Sequence, residues 1–181
     1  MIKVRRDNAL IDALEAIEPT GFQGTVWRVI RDGRDPLQCS ASGGRWDDGS
    51  FDVLYTSLSR QGALEEMRFH LMRGQPVMPS KVRYRLFELD LSLARALQFL
   101  DLSALAAVGL KTETFGRLSY EQKDAEYPRT QEIGEVAHFL DFDGLIVPSA
   151  RSDARNVVVF CDKVELLRES KFIDHGLVSW G

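Results

Sequence analysis

Four short segments carry side chains suited to ligand chemistry. Val26-Trp27-Arg28-Val29 sets an arginine inside an apolar run, where a guanidinium on rigid β-structure can fork onto a phosphate. Strand alternation equally allows Arg28 to be an ordinary exposed residue. Gly43-Gly44-Arg45-Trp46-Asp47 combines paired glycines, which allow close backbone approach, with a cation and an indole. Together these can clamp an anion and a flat ring, or simply form a turn beside a core tryptophan. Leu54-Tyr55-Thr56-Ser57 leads through Gly62 to the adjacent carboxylates Glu65 and Glu66. Neighbouring helical residues point about 100° apart, so only one of the two can face a given cleft, and a solvated helix face would account for both. Val147-Pro148-Ser149-Ala150-Arg151 leaves an apolar run, a common place for site residues and also for plain turns.

The intervening sequence supplies the elements that must position these groups. Asn8 to Ile17 has Leu10, Ile11, Leu14 and Ile17 at helical spacing, with Pro19 and Gly21 expected to stop it. Thr25 to Ile30 and Val53 to Ser57 read as strands. Arg60 to Arg73 reads as a helix with Leu64, Met67 and Leu71 on one face. Val82 to Leu91 alternates as a half-buried strand, and the Leu/Ala-rich stretch from Ser92 to Gly109 suggests one or two short helices. Ser119 to Arg129 is polar and reads as a loop, Thr130 to Leu140 as a helix. Gly144 to Pro148 and Asn156 to Cys161 read as buried strands, and Lys163 to Ser170 is left unassigned. With no internal repeat or linker, the chain reads as a single α+β domain over 1–181, built on a compact, mainly antiparallel or mixed sheet.

Composition narrows the function classes. The 181 residues carry 23 Lys plus Arg against 27 Asp plus Glu, a formal charge of -4. That balance argues against a general nucleic-acid binder. Cys39 and Cys161 offer neither a disulfide framework nor zinc spacing, so a reducing cytosol is expected. No run is long and apolar enough to span a bilayer, and Met1 to Asp7 is not followed by a signal-peptide core. Neither nucleotide-binding glycine fingerprint occurs, nor a GxSxG elbow, and His70, His138 and His175 lack metal-ligand spacing.

Taken in order, the segments are more specific than any one alone. An arginine in the first strand is followed by GGRW, then by Tyr-Thr-Ser. A glutamate stands eleven residues after Tyr55, and VPSAR precedes Asn156. This pattern, from about Trp27 to Phe160, resembles the RES domain family, toxins of the RES–Xre toxin–antitoxin class. Asp47 stands where the family usually has Asn, and the family spacing favours Glu66 over Glu65. The resemblance implies an ADP-ribosyltransferase-like fold, central β-sheets flanked by helices, with NAD as substrate and no metal. It implies cleavage of the nicotinamide–ribose bond through a transition state with positive charge on the ribose.

On that reading Glu66 stabilises the ribosyl cation, and Arg28 and Arg45 hold the pyrophosphate. Tyr55 stacks on nicotinamide as a further catalytic group, and Ser149 and Asn156 bind nearby. Trp27, Trp46 and Trp180 are expected to pack. Transfer of ADP-ribose to a protein acceptor, hydrolysis and phosphorolysis all stay open, as does a non-catalytic partner-binding module. The resemblance further implies a cytoplasmic protein whose cleft is covered by an Xre/ParS-type antitoxin. That partner would bind DNA; this chain would bind neither nucleic acid nor membrane.

Overall fold

The computed structural model describes residues 5–72, 81–116 and 123–180. Asp7 caps the first helix, α1 (Asn8–Glu15), by accepting from the N–H groups of Ala9 and Leu10. Then follow β1 (Thr20–Arg31), β2 (Val53–Ser57), α2 (Arg60–Met72), β3 (Tyr84–Gln98), α3 (Leu102–Ala106) and α4 (Lys123–Phe139). The strands β4 (Gly144–Pro148), β5 (Arg155–Phe160) and β6 (Phe172–Leu177) complete the chain.

The strands join in the order β1-β2-β5-β4-β3-β6, and β1 also pairs with β3 from Thr20↔Ala96 to Arg31↔Tyr84. Strands β1, β2, β5, β4 and β3 thus close on themselves, while β6 lies beside the first half of β3. Among the described strand pairs only β3 and β4 run parallel. The seam between β1 and β2 is narrow, a single pairing of Trp27 with Ser57.

The short apolar runs are buried on both faces, as continuous runs require. Leu54, Ile146, Val157 and Val159 join one core with Val26, Leu89 and Leu91. Val53, Leu145, Val147, Val158 and Phe160 face the other way, onto Leu10, Leu14, Trp46, Ile133 and Val136 of the helical side. A bulge in β3 leaves the N–H groups of Ala94 and Arg95 outside the β1 ladder, and Asp143 Oδ2 accepts from both, at 2.7 and 3.0 Å.

The α+β expectation holds, but several elements differ from their sequence reading. Residues 92–98 continue β3 instead of forming a helix, because Ala96 to Gln98 must reach Gly144 to Ile146 of β4. Within the whole stretch from Ser92 to Gly109, expected as one or two short helices, α3 alone is an α-helix. The polar stretch expected as a loop lies in part, at 119–122, outside the described residues. From Lys123 onward it is the start of α4, whose polar side chains Glu126 and Thr130 are buried against distant partners. Gly21 lies inside β1, and the exposed β6 had no clear alternation to announce it.

The cysteine expectation is also overturned. Cys39 and Cys161 form a disulfide across 122 residues, with their Cα atoms 6.6 Å apart. Ser40 bridges to Val53, and Val53 pairs with Phe160, so the loop after β1 is carried to the end of β5. Among the described residues no helix is long and apolar enough to cross a membrane.

Candidate active site

The GGRW segment is held from two sides. On one, Asp47 is fully buried and accepts three hydrogen bonds. Its Oδ2 takes the N–H of Gly43 at 3.0 Å; its Oδ1 takes the N–H of Gly44 at 2.9 Å and the Tyr55 hydroxyl at 2.5 Å. The same hydroxyl accepts from the Trp46 N–H at 3.0 Å. The glycine pair follows from this closeness. Gly43 has φ +80°, and a Cβ on Gly44 would lie 2.6 Å from the Tyr55 oxygen. On the other side, α4 donates from Gln131 to the Gly44 carbonyl and from Thr130 to the Arg45 carbonyl. Trp46 is core, as expected.

This grip aims the side chain of Arg45. Its Nη1 donates to Glu126 Oε1 at 2.5 Å, and its guanidinium lies 5.0 Å from the Phe115 ring centroid and 4.9 Å from that of Tyr127. Glu126 is buried and also accepts from the Gly116 N–H. Burying a carboxylate costs several kcal/mol, about 3–5, when its partner is removed, so the pair holds both elements in place.

The glutamate is positioned by the opposite wall. Glu66 Oε1 accepts from Ser149 Oγ at 2.7 Å and from Asn156 Nδ2 at 3.0 Å. Asn156 sits opposite Ser57 on β2 and Val147 on β4, so the sheet register fixes its place. Glu65 turns elsewhere and accepts from Gln61 Nε2 at 3.2 Å. Of the two adjacent carboxylates, Glu66 is the one that lines the cavity.

Arg28 Nη1 donates to the carbonyls of Pro36 and Gln38, at 2.7 and 3.2 Å, which ties the loop after β1 back onto the strand. Burial pushes its pKa down to about 10, against a smaller opposing pull from Asp35. Burial also drives the Tyr55 phenol well above its ordinary value, with the charge and hydrogen bond of Asp47 adding to the effect.

A cavity of about 410 Å³ opens beside the β1–β2 seam, and Arg28, Arg45, Tyr55, Glu66 and Asn156 all line it. Ser149 stands one hydrogen bond behind, at Glu66. Trp27, expected only to pack, lines the cavity as well, while Trp180 packs near Tyr84. Several members of the site have no role in the sequence reading, among them Glu126, Arg151 and Tyr127. Glu126 falls in the polar stretch expected as a loop, and Arg151 ends VPSAR, where the sequence points to no role for it. Arg151 lines the cavity, with its guanidinium 3.3 Å from the Phe69 ring centroid. The arrangement offers a fixed carboxylate, an aromatic ring and several guanidinium groups in one concave space.

Comparisons with known proteins bear on this arrangement. A model of the RES domain matches residues 25–181. Among solved structures, the M. tuberculosis MbcT–MbcA toxin–antitoxin complex contains a chain of the same fold. The TM-score is 0.75 at 22% identity, over 93% of this chain and 92% of that one. No curated protein matches.

Proposed function

The chain belongs to the RES domain family, and from that premise we propose that it is a toxin that cleaves the nicotinamide–ribose bond of NAD. The observation that carries the reading is Glu66. A carboxylate held by two neutral donors, Ser149 and Asn156, lies in the same cavity as Arg45 and Tyr55.

The chemistry follows from that placement. When the C1′–N bond breaks, its electron pair leaves with nicotinamide, which departs as a neutral base. Positive charge is left on the ribose carbon and ring oxygen. A fixed carboxylate stabilises that charge as it develops, and accepts from the ribose hydroxyls, without reorganising. The hydroxyl of Tyr55 is taken up by Asp47 and the Trp46 N–H. What Tyr55 presents to a ligand is therefore its ring, suited to stacking on nicotinamide. Arg28 and Arg45 supply positive charge for the pyrophosphate. The new bond to C1′ forms from water, phosphate or a protein side chain; water or a neutral side chain releases its proton to solvent, whereas phosphate attacks through an oxygen that already carries negative charge.

The partner proposed is an antitoxin whose segment covers the cavity and which itself binds DNA through a helix-turn-helix. The structural neighbour, a toxin–antitoxin complex, supports that pairing. The proposed setting is the cytoplasm, where NAD is at hand.

The direct test is nicotinamide release from NAD by the purified chain. Glu66→Gln should reduce turnover by about a hundredfold or more, in line with loss of a fixed electrostatic group, with the fold intact. Unchanged turnover would remove Glu66 from this role, and no release by the wild type would remove the activity. Mass analysis of the products, with and without phosphate and cell extract, separates hydrolysis, phosphorolysis and transfer to a protein.

A further inference from the structure

Two arginines in the cavity are linked to one carboxylate, Arg45 directly and Arg151 through a single residue, Gly116. Gly116 N–H donates to the same Glu126 Oε1 that receives Arg45 Nη1, and the Gly116 carbonyl accepts from Arg151 Nη1 at 2.5 Å. The chain Arg45, Glu126, Gly116, Arg151 is thus continuous. Aromatic faces fix the guanidinium groups, Phe69 for Arg151 and the pair Phe115 and Tyr127 for Arg45.

Arg151 has its pKa lowered, by burial first and by the charge of Arg45 second, against smaller opposing pulls from Glu66 and Glu126. Two partly desolvated cations therefore feel each other, and Glu126 receives only one of them directly. Glu66 faces the same cavity, but its Oε1 is engaged by Ser149 and Asn156. Arg28 gives its Nη1 to two loop carbonyls, whereas Arg151 gives its Nη1 to one. An oxyanion placed between Arg45 and Arg151 would supply the counter-charge and accept forked hydrogen bonds from both.

We propose that Arg45 and Arg151 form a two-guanidinium clamp for a phosphate group, with Glu126 as the positioning residue that holds both arms. The clamp deepens the NAD reading and rests on it for its occupant. The pyrophosphate of the dinucleotide and a free inorganic phosphate that attacks the ribose share the required chemistry.

Calorimetric titration of the full chain with ADP-ribose, and separately with inorganic phosphate, tests this without any turnover. Arg151→Gln should weaken binding roughly tenfold or more, the size expected for a charge-assisted pair. Arg151→Lys, which keeps the charge but loses the fork, should recover only part. Loss confined to ADP-ribose assigns the clamp to the pyrophosphate, and loss confined to phosphate assigns it to the free anion. Unchanged affinity for both ligands in a folded Arg151→Gln protein overturns the clamp, as does failure of the wild type to bind either. In NAD turnover, Glu126→Gln should raise KM severalfold with a smaller change in kcat, and Glu126→Asp should restore part of the loss. An unchanged KM overturns the positioning role. Should Arg151→Gln fail to fold, Arg151→Lys and Glu126→Gln carry the same comparison. A clamp that binds ADP-ribose in a protein releasing no nicotinamide would leave this inference standing and remove the proposed activity.

Discussion

The Tyr55 hydroxyl donates to Asp47 Oδ1 at 2.5 Å, and this one contact joins the second strand of the sheet to the loop that carries Arg45. Asp47 has no exposed surface. Its two oxygens are matched by three donors, the N–H groups of Gly43 and Gly44 and the phenol. A carboxylate suits that set because it accepts at both oxygens and donates at neither. An asparagine would turn an NH₂ group toward one of these donors.

Asp47→Asn should therefore destabilise this chain by about 1–3 kcal/mol, the range for leaving a buried polar group unmatched. Urea unfolding checks it. A midpoint equal to that of the wild type would show that the loop rearranges to suit the amide.

The phenol of Tyr55 should stay protonated through neutral and mildly alkaline pH. Its pKa in the fold lies above the ordinary value, so the unfolded chain loses the proton first. The stability it contributes is present below about pH 10 and falls as pH rises further. Arg28 has the opposite sign. Its folded pKa is near 10, below the ordinary guanidinium value, so stability rises above about pH 10 as the folded state sheds its proton first. Absorbance titration should show one of the four tyrosines ionising late, and Tyr55→Phe should remove that phase. A full set of ordinary titrations in the wild type would contradict the buried contact.

Gly134→Ala probes the seat of the GGRW backbone on α4. An ideal Cβ at this position would stand 1.9 Å from the Trp46 carbonyl oxygen, a backbone atom with no side-chain freedom. Overpacking of that kind costs typically 1–3 kcal/mol. Thermal unfolding should show the loss, and the affinity for ADP-ribose should fall with it because Arg45 is displaced. A variant with unaltered stability would mean that α4 and the loop separate readily.

Opening the Cys39–Cys161 bond should lower stability without abolishing the site. Closing a loop of 122 residues restricts the unfolded chain, and such bonds contribute typically about 2–4 kcal/mol. The proposed cytoplasmic setting is reducing, so nicotinamide release should persist in reductant while the melting temperature drops. Loss of all activity on reduction, with the fold retained, would place the bond in the working form of the site.

Much of this architecture is legible in local pattern. The run Val53 to Ser57 and the run Gly144 to Pro148 coincide with β2 and β4, because buried strands need continuous apolar residues and turn formers at their ends. The helix carrying Glu66 follows from its spacing, and the motif order brought together residues that line one cavity. Local pattern failed where the deciding partner is distant. Glu126 reads as one more charge in a polar stretch until Arg45, 81 residues away, meets it. Cys39 shows no pairing until the loop after β1 is laid against β2 and β5. Residues 92–98 read as helix until β4 offers them a ladder. Periodicity encodes which face of an element is apolar, whereas the identity of a buried polar partner depends on which elements meet. That is set by the closure of the sheet, through contacts that no window of sequence contains.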